Sequence, residues 1–317
     1  KMNEFALIDT YFKPNTYHDA HILLGIGDDA ACLSVPTGYD LVVSTDTLVA
    51  DVHFCTNWDA FDIAWKALMV NLSDIAAMGA TPYWVSLALT LPVVDKLWLK
   101  RFAQGLHAGC QRYNVSLIGG DTTKGPLTLT ITVQGLVPHQ RFISRKHAQI
   151  GDGIWVSGML GGAALAVEHV KTPFLAPKDQ TILNDLLMHP RPRVNLAPIL
   201  QDFASAAIDV SDGLGADLLH ICQASHTGAL LQLENLPIHP LVQKYKPKDA
   251  IPFALNGGDD YELCFTVPYR REAAFKTALA AYQIPCTRIG EITEHLGLQG
   301  QQGLEIKPLI PQGYQHF

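Results

Sequence analysis

A chain of 317 residues is longer than one hydrophobic core usually spans, so its length points to two domains, each large enough to fold without disulfides or a structural metal. Its 23 basic and 30 acidic residues give a net charge of -7 with no Lys/Arg-rich run, which argues against nucleic acid as the main partner and means that an anionic ligand would need help from cations. No apolar stretch approaches the roughly 20 residues that a bilayer span needs, and residues 2–5 do not open a charged and then apolar leader; a cytoplasmic protein without a membrane partner is expected.

In chain order, Asp40 to Asp46 reads as a short buried strand that delivers its last polar residues to an edge or pocket. Residues 59–78 carry apolar positions at helical steps, with Gly79 as the closing residue and Asn71 and Asp74 one turn apart. Trp84 to Leu91 is strand-like, Lys96 to Tyr113 helical, and Val115 to Ile118 a strand expected to stop at Gly119-Gly120-Asp121. Leu127 to Val137 alternates Leu, Ile and Val with Thr and Gln, the pattern of a strand with one wet face. After Arg145-Lys146 the pattern begins again: strand 153–157, helix 161–170, strand 206–210, helix 214–224, strand 263–267 and helix 270–282, with a loop at His189 to Arg193. The expected fold class is α/β of the α+β type, in two domains, 1–149 and 150–317. Six cysteines stand far apart with no CxxC pair and no histidine at zinc spacing, so buried reduced thiols are expected.

Five short motifs set aspartates beside glycine or a hydroxyl: Gly27-Asp28-Asp29, Ser44-Thr45-Asp46-Thr47, Gly119-Gly120-Asp121-Thr122, Asp209-Val210-Ser211-Asp212-Gly213 and Gly257-Gly258-Asp259-Asp260-Tyr261-Glu262. Each alone is ordinary turn chemistry. Together, and at the ends of strands, they suggest a shared pocket of hard oxygen ligands, and magnesium binds carboxylates while sharing its remaining positions with water and substrate phosphates. Glycine lets a phosphate approach the backbone, a use that fits Gly119-Gly120 and Gly257-Gly258. Arg145 is the best phosphate clamp by residue type, Arg191 and Arg193 are weaker ones, and His53 follows the Ser-Thr-Asp-Thr motif closely enough to face the same pocket; a surface charge and a structural histidine remain the alternatives. Walker A, kinase-type GxGxxG and GxSxG motifs are absent from the sequence, so ATP, if used, is held on another scaffold.

The ordered run GIGDDAA, STDTLVADVHF, VNLSDIAAMGATP, GGDTTKGP, SRKHAQIGD, AIDVSDGL, GGDDYELCF and GYQHF resembles the thiamine-monophosphate kinase family, within the aminoimidazole ribonucleotide synthetase-like superfamily. The resemblance implies an N-terminal α/β domain whose sheet pairs across a homodimer and a C-terminal α+β domain. It also implies ATP-dependent phosphorylation of thiamine monophosphate to thiamine diphosphate with release of ADP, the last step of thiamine diphosphate biosynthesis. By the same similarity, Asp29, Thr45, Asp46, Asp74, Asp121, Asp209 and Asp212, with Ser44 and Asp28 beside them, match ligands of several magnesium ions, and Asp46, Asp121 and Asp212 are those expected to matter most for turnover. Gly120, Asp121, Arg145 and Ser211 match positions that contact ATP; His53, Asp259, Asp260, Glu262 and Tyr314 match the region of the thiamine end. The family usually has glutamate where this chain has Asp259, a reach shorter by one methylene. An acceptor phosphate is already ionised at neutral pH, so no general base is assigned and direct in-line transfer is expected.

The alternatives are another ATP-dependent synthetase or cyclase of the superfamily, a metal-dependent phosphatase, and a nucleotide-binding protein without turnover. A selenophosphate synthetase would need a reactive Cys or Sec loop before Gly25, and the hydrogenase-maturation relative a C-terminal cysteine; the sequence has neither.

Overall fold

The structure is a computed structural model and describes residues 4–14 and 19–315. It divides into two compact units, Lys1–Ile75 with Ala80–Arg141, and Ala76–Gly79 with Phe142–Phe317.

The first unit opens with a short helix, α1 (Glu4–Leu7), and a small pair of strands, β1 (Ile22–Leu24) and β2 (Cys32–Leu33). Its body is a four-stranded sheet in the order β3-β6-β4-β5, from β3 (Tyr39–Val49), β4 (Thr81–Leu91), β5 (Ser116–Lys124) and β6 (Thr128–Pro138), with helices α2 (Ala60–Ala77) and α3 (Lys96–Tyr113). The alternation read in 127–137 appears as alternating burial along β6. Helix α3 has the expected bounds: the Asp95 carboxylate accepts the N–H groups of Leu97 and Trp98 at its start, and Asn114 closes it in a left-handed conformation. The strand expected to stop at Gly119 instead runs on to Lys124. The register with β4 slips by one residue between Val85/Leu117 and Ser86/Gly119, so a bulge absorbs Ile118 and the ladder resumes beyond it.

The second unit is a seven-stranded sheet in the order β13-β12-β9-β11-β7-β10-β8. Its strands are β7 (Gly153–Ser157), β8 (Ala206–Val210), β9 (Gly228–Gln232), β10 (Glu262–Val267), β11 (Cys286–Thr293), β12 (Gly297–Gln302) and β13 (Glu305–Leu309). Helices α4 (Gly162–Lys171), α5 (Pro177–Met188), α6 (Ala197–Phe203), α7 (Leu214–Ser225), α8 (Pro240–Tyr245), α9 (Ala250–Asn256) and α10 (Glu272–Leu279) connect them. Strands β7, β8 and β10 are buried on both faces, which explains their continuous apolar runs. Ile154, Val156, Ile208 and Cys264 point into one core with Leu214 and Leu218, while Trp155, Ala207, Leu263 and Phe265 point into another with Phe275. Of the six thiols, Cys110, Cys222 and Cys264 are buried as expected, but Cys55 and Cys286 are only partly so and Cys32 is exposed, because strand β2 lies in a two-stranded ribbon rather than in a core.

Candidate functional site

In the first unit the strand β3 and the helix α2 are tied by two side chains one turn apart on the helix. The Asn71 carbonyl oxygen accepts the Asp46 N–H at 3.1 Å while its amide donates to Ala67 O at 2.8 Å, and Ser44 Oγ donates to Asp74 Oδ2 at 2.5 Å. Ser44 and Asp46 alternate to the same face of β3, so both meet the helix. This brings the carboxylates of Asp46 and Asp74 close enough to repel. Burial, and then the charge of Asp74, push the Asp46 carboxyl up from 3.8 to about 6. Two acids held together with a hydroxyl, at a cost to the ionised form, are a donor set suited to a hard divalent cation.

Other expected members lie apart from this group. Thr45 points to the opposite, exposed face of β3, where its hydroxyl meets that of Thr132 at 2.9 Å. Asp121 is exposed on β5, in register with Ala88, and accepts the N–H of Thr122. Gly120 precedes it with φ +154°, and a Cβ there would run into the backbone carbonyl of Leu87, so the position requires glycine whether or not a phosphate visits it. Asp28 and Asp29 are exposed beside β2, the Asp28 carboxylate accepting Asp29 N–H at 3.2 Å. His53 uses Nδ1 to accept the Val49 N–H at 2.9 Å, closing the turn after β3, which places the ring proton on Nε2.

In the second unit, β8 ends at Asp209-Val210 and leads through Ser211, Asp212 and Gly213 into α7. Asp209 is buried and in register with Leu263. Ser211 and Asp212 are half-buried, and their N–H groups, with that of Gly213, converge on a residue the sequence reading missed: Asp217 Oδ2 accepts them at 3.0, 3.1 and 3.2 Å. Burial and the nearby Asp212 charge push the Asp217 carboxyl up to about 7, against the pull of these three amides. The signal available was a carboxylate four residues beyond Gly213, one turn into a helix. Tyr314 is exposed, and its N–H donates to Asp212 O at 3.1 Å.

The Gly257 to Glu262 motif folds onto the same loop, with Asp259 N–H donating to Ser211 O and Tyr261 N–H to Val210 O, each at 2.8 Å. Asp259 and Tyr261 both have left-handed backbones, at φ 69° and 48°, a costly conformation outside glycine. The three acids of the motif therefore part. Asp260 turns both carboxylate oxygens to the Gly161 N–H at 3.0 Å and caps α4; burial, the largest cause, drives its carboxyl well above the usual range, with Glu262 and Asp259 adding to it. Glu262 is buried: Arg193 donates to both its oxygens, and Ser157 Oγ donates to Oε2 at 2.6 Å. Glu262 and Arg193 thus satisfy each other, one expected at the thiamine end and the other a candidate phosphate clamp. Arg191 likewise reaches Asp185, at 3.3 Å, whereas Arg145 is exposed. Among the described residues no three acidic, histidine or cysteine side chains gather closely enough to hold a cation alone. A magnesium ion that borrows oxygens from substrate phosphates and water needs only one or two carboxylates from the protein.

Comparison with known proteins matches residues 27–137 to the AIR synthase related protein, N-terminal domain, and residues 149–301 to its C-terminal domain. The thiamine-monophosphate kinase of Haemophilus influenzae is 44% identical over 322 residues, covering 100% of this chain and 98% of that one. The crystal structure of thiamine-monophosphate kinase from Stenotrophomonas maltophilia K279a superposes with a TM-score of 0.87 at 44% identity, over 94% of this chain and 96% of that one. AaThiL complexed with AMPPCP and TMP superposes with a TM-score of 0.79 at 31% identity, over 92% of both chains.

Proposed function

The chain belongs to the AIR synthase related proteins and, within them, to the thiamine-monophosphate kinases, and from that membership we infer that it transfers the γ-phosphoryl group of ATP to thiamine monophosphate, giving thiamine diphosphate and ADP. The observation that carries the reading is full-length likeness to these kinases in both sequence and fold, including a relative solved with AMPPCP and TMP. A phosphatase or another synthetase of the superfamily has no comparable support.

Transfer between two phosphates needs little covalent help from a protein. The barrier lies in bringing anions together and in line. The chemistry a bound magnesium ion would supply is neutralisation of phosphate charge. Asp46 and Asp74, with the Ser44 hydroxyl, fit it in the first unit, where Asn71 fixes the Asp46 backbone. Asp209 and Asp212 are the corresponding acids of the second unit, and Ser211 offers a hydroxyl to a phosphate oxygen. Asp121, Asp28 and Asp29 are exposed acids open to the same use, and Gly120 and Arg145 are assigned to ATP. His53, Asp259 and Tyr314 are assigned to the thiamine end; Asp260 and Glu262 hold the backbone that presents Asp259. No side chain is needed as base, because the acceptor oxygen is already ionised.

A homodimer is supported by the exposed row of Tyr39, Leu41 and Val43 on β3, and a reducing cytoplasmic setting by six unpaired cysteines. Among the described residues no helix is long and apolar enough to cross a membrane. The decisive assay is ADP release from Mg-ATP with thiamine monophosphate, thiamine or no acceptor, with EDTA as control. Release that requires the monophosphate and stops with EDTA is expected; equal release without acceptor would mean a hydrolase.

A further inference from the structure

Three successive N–H groups aimed at one point, just ahead of a helix, form a concavity that ordinarily receives a phosphate or another anion. In the Ser211–Gly213 loop that concavity is filled from within, since Asp217 reaches back from the first turn of α7 and its Oδ2 takes all three amides. The loop's carbonyls are engaged as well: Ser211 O by Asp259 N–H, Asp212 O by Tyr314 N–H and Gly213 O by Asp217 N–H. Gly213 sits at φ +121°, with the Asn256 backbone 2.9 Å from where a Cβ would stand. With its amides taken and each carbonyl already accepting one N–H, the loop offers a ligand chiefly the side chains of Ser211 and Asp212. It cannot cradle a phosphate through its amides.

We propose that Asp217 is a positioning residue, whose buried carboxylate anchors the Ser211–Gly213 backbone and thereby fixes where the Asp212 carboxylate meets a divalent cation. For the cation the proposal rests on the metal-dependent kinase reading; for the anchor it rests on the hydrogen bonds alone. A purely structural acid would stabilise α7 and leave ligand geometry untouched. An anchor makes cation affinity depend on the exact reach of the side chain, as partners that orient metal ligands do.

Two readouts on the full chain separate these cases: amide hydrogen exchange at residues 211–213, and Mn2+ binding followed by electron paramagnetic resonance with and without AMPPCP. Asp217→Asn keeps an oxygen at the same reach and is expected to retain the protection and Mn2+ affinity to within a few-fold. Asp217→Glu keeps the charge but moves the oxygen by one methylene, and Asp217→Ala removes it. Both should lose the protection and bind Mn2+ about 10- to 100-fold more weakly. Should the alanine variant not fold, the glutamate and asparagine variants carry the test between them. Unchanged exchange in the glutamate variant, or loosened amides with full Mn2+ affinity, would overturn the proposal. Wild-type protein that takes up no Mn2+ would instead overturn the metal reading, with the exchange data still deciding the anchor.

Discussion

Arg193 donates to Glu262 through both Nε and Nη2, at 2.6 and 2.5 Å, with both side chains largely out of solvent. A pair so enclosed gains little over an apolar one, but breaking it strands a charge. Arg193→Met should therefore lower stability by about 3–5 kcal/mol. Adding Glu262→Gln should return most of that loss, because the amide oxygen still accepts from Ser157. Urea midpoints of the single and double variants test this; a single-variant loss below about 1 kcal/mol would place the pair with exposed ion pairs.

The Asp46 and Asp74 carboxylates make the cation-free protein sensitive to pH in a definite direction. The Asp46 carboxyl is raised from 3.8 to about 6, so in that window the folded state binds more protons than the unfolded chain, and this contribution to stability falls as pH rises through it. Lowered carboxylates such as Asp59 act oppositely, so the contribution must be read as a difference between proteins. In EDTA, Asp46→Asn should gain melting temperature relative to wild type at about pH 7.5 and lose that advantage at about pH 4.5. Magnesium should raise the wild-type melting temperature at about pH 7.5 by more than it raises the variant's, which keeps the acids of the second unit. An advantage that does not vary with pH would disprove the coupling.

Asp260 serves as an N-terminal cap for α4 through Gly161 N–H. Asp260→Ala should cost about 1–2 kcal/mol, the usual price of a lost cap. Asp260→Asn keeps an acceptor and removes a charge crowded by Glu262 and Asp259. Since burial raises this carboxyl, the ionised form is the unfavourable one, and the asparagine variant should match or exceed wild type at neutral pH and lose ground as pH falls. Thermal melts across pH check both variants, and an asparagine variant as unstable as the alanine one would show that the charge is required.

What the sequence disclosed follows from which forces act locally. Strand β6 was legible because its alternation runs end to end, and helix α3 because its period fills the span that the caps Asp95 and Asn114 close. Strands β12 and β13 were not, since the Gly-Gln run of one and Pro308 in the other have poor strand character. Their strand state comes from pairing with β9 and with each other, and Pro308 is tolerated because β13 lies at the sheet edge. Within the motifs, residue type was visible and direction was not. Asp259, Asp260 and Glu262 read as one acidic cluster, yet two left-handed residues and the pleat of β10 send Asp260 to a helix end and Glu262 into the core. Thr45 parts from Ser44 and Asp46 by simple alternation, and Asp217 escaped notice because its partners are backbone amides, which no motif spells.

The outer face of β3 bears on assembly. Tyr39, Leu41 and Val43 are 45, 45 and 54% exposed in a row on an edge strand, continued by Thr45 and Thr47, whose hydroxyls pair with Thr132 and Thr130. An apolar row on an open strand face invites a partner surface, and a second copy offers a self-complementary one. Leu41→Lys with Val43→Glu places charges at the centre of that row while leaving Val42 and Ser44 on the other face, so the fold should survive. Sedimentation at micromolar concentration should show a dimer for wild type and a monomer for the double variant, with an unchanged far-ultraviolet spectrum. A variant that still sediments as a dimer would move the interface away from β3, and a monomeric wild type would remove the homodimer altogether.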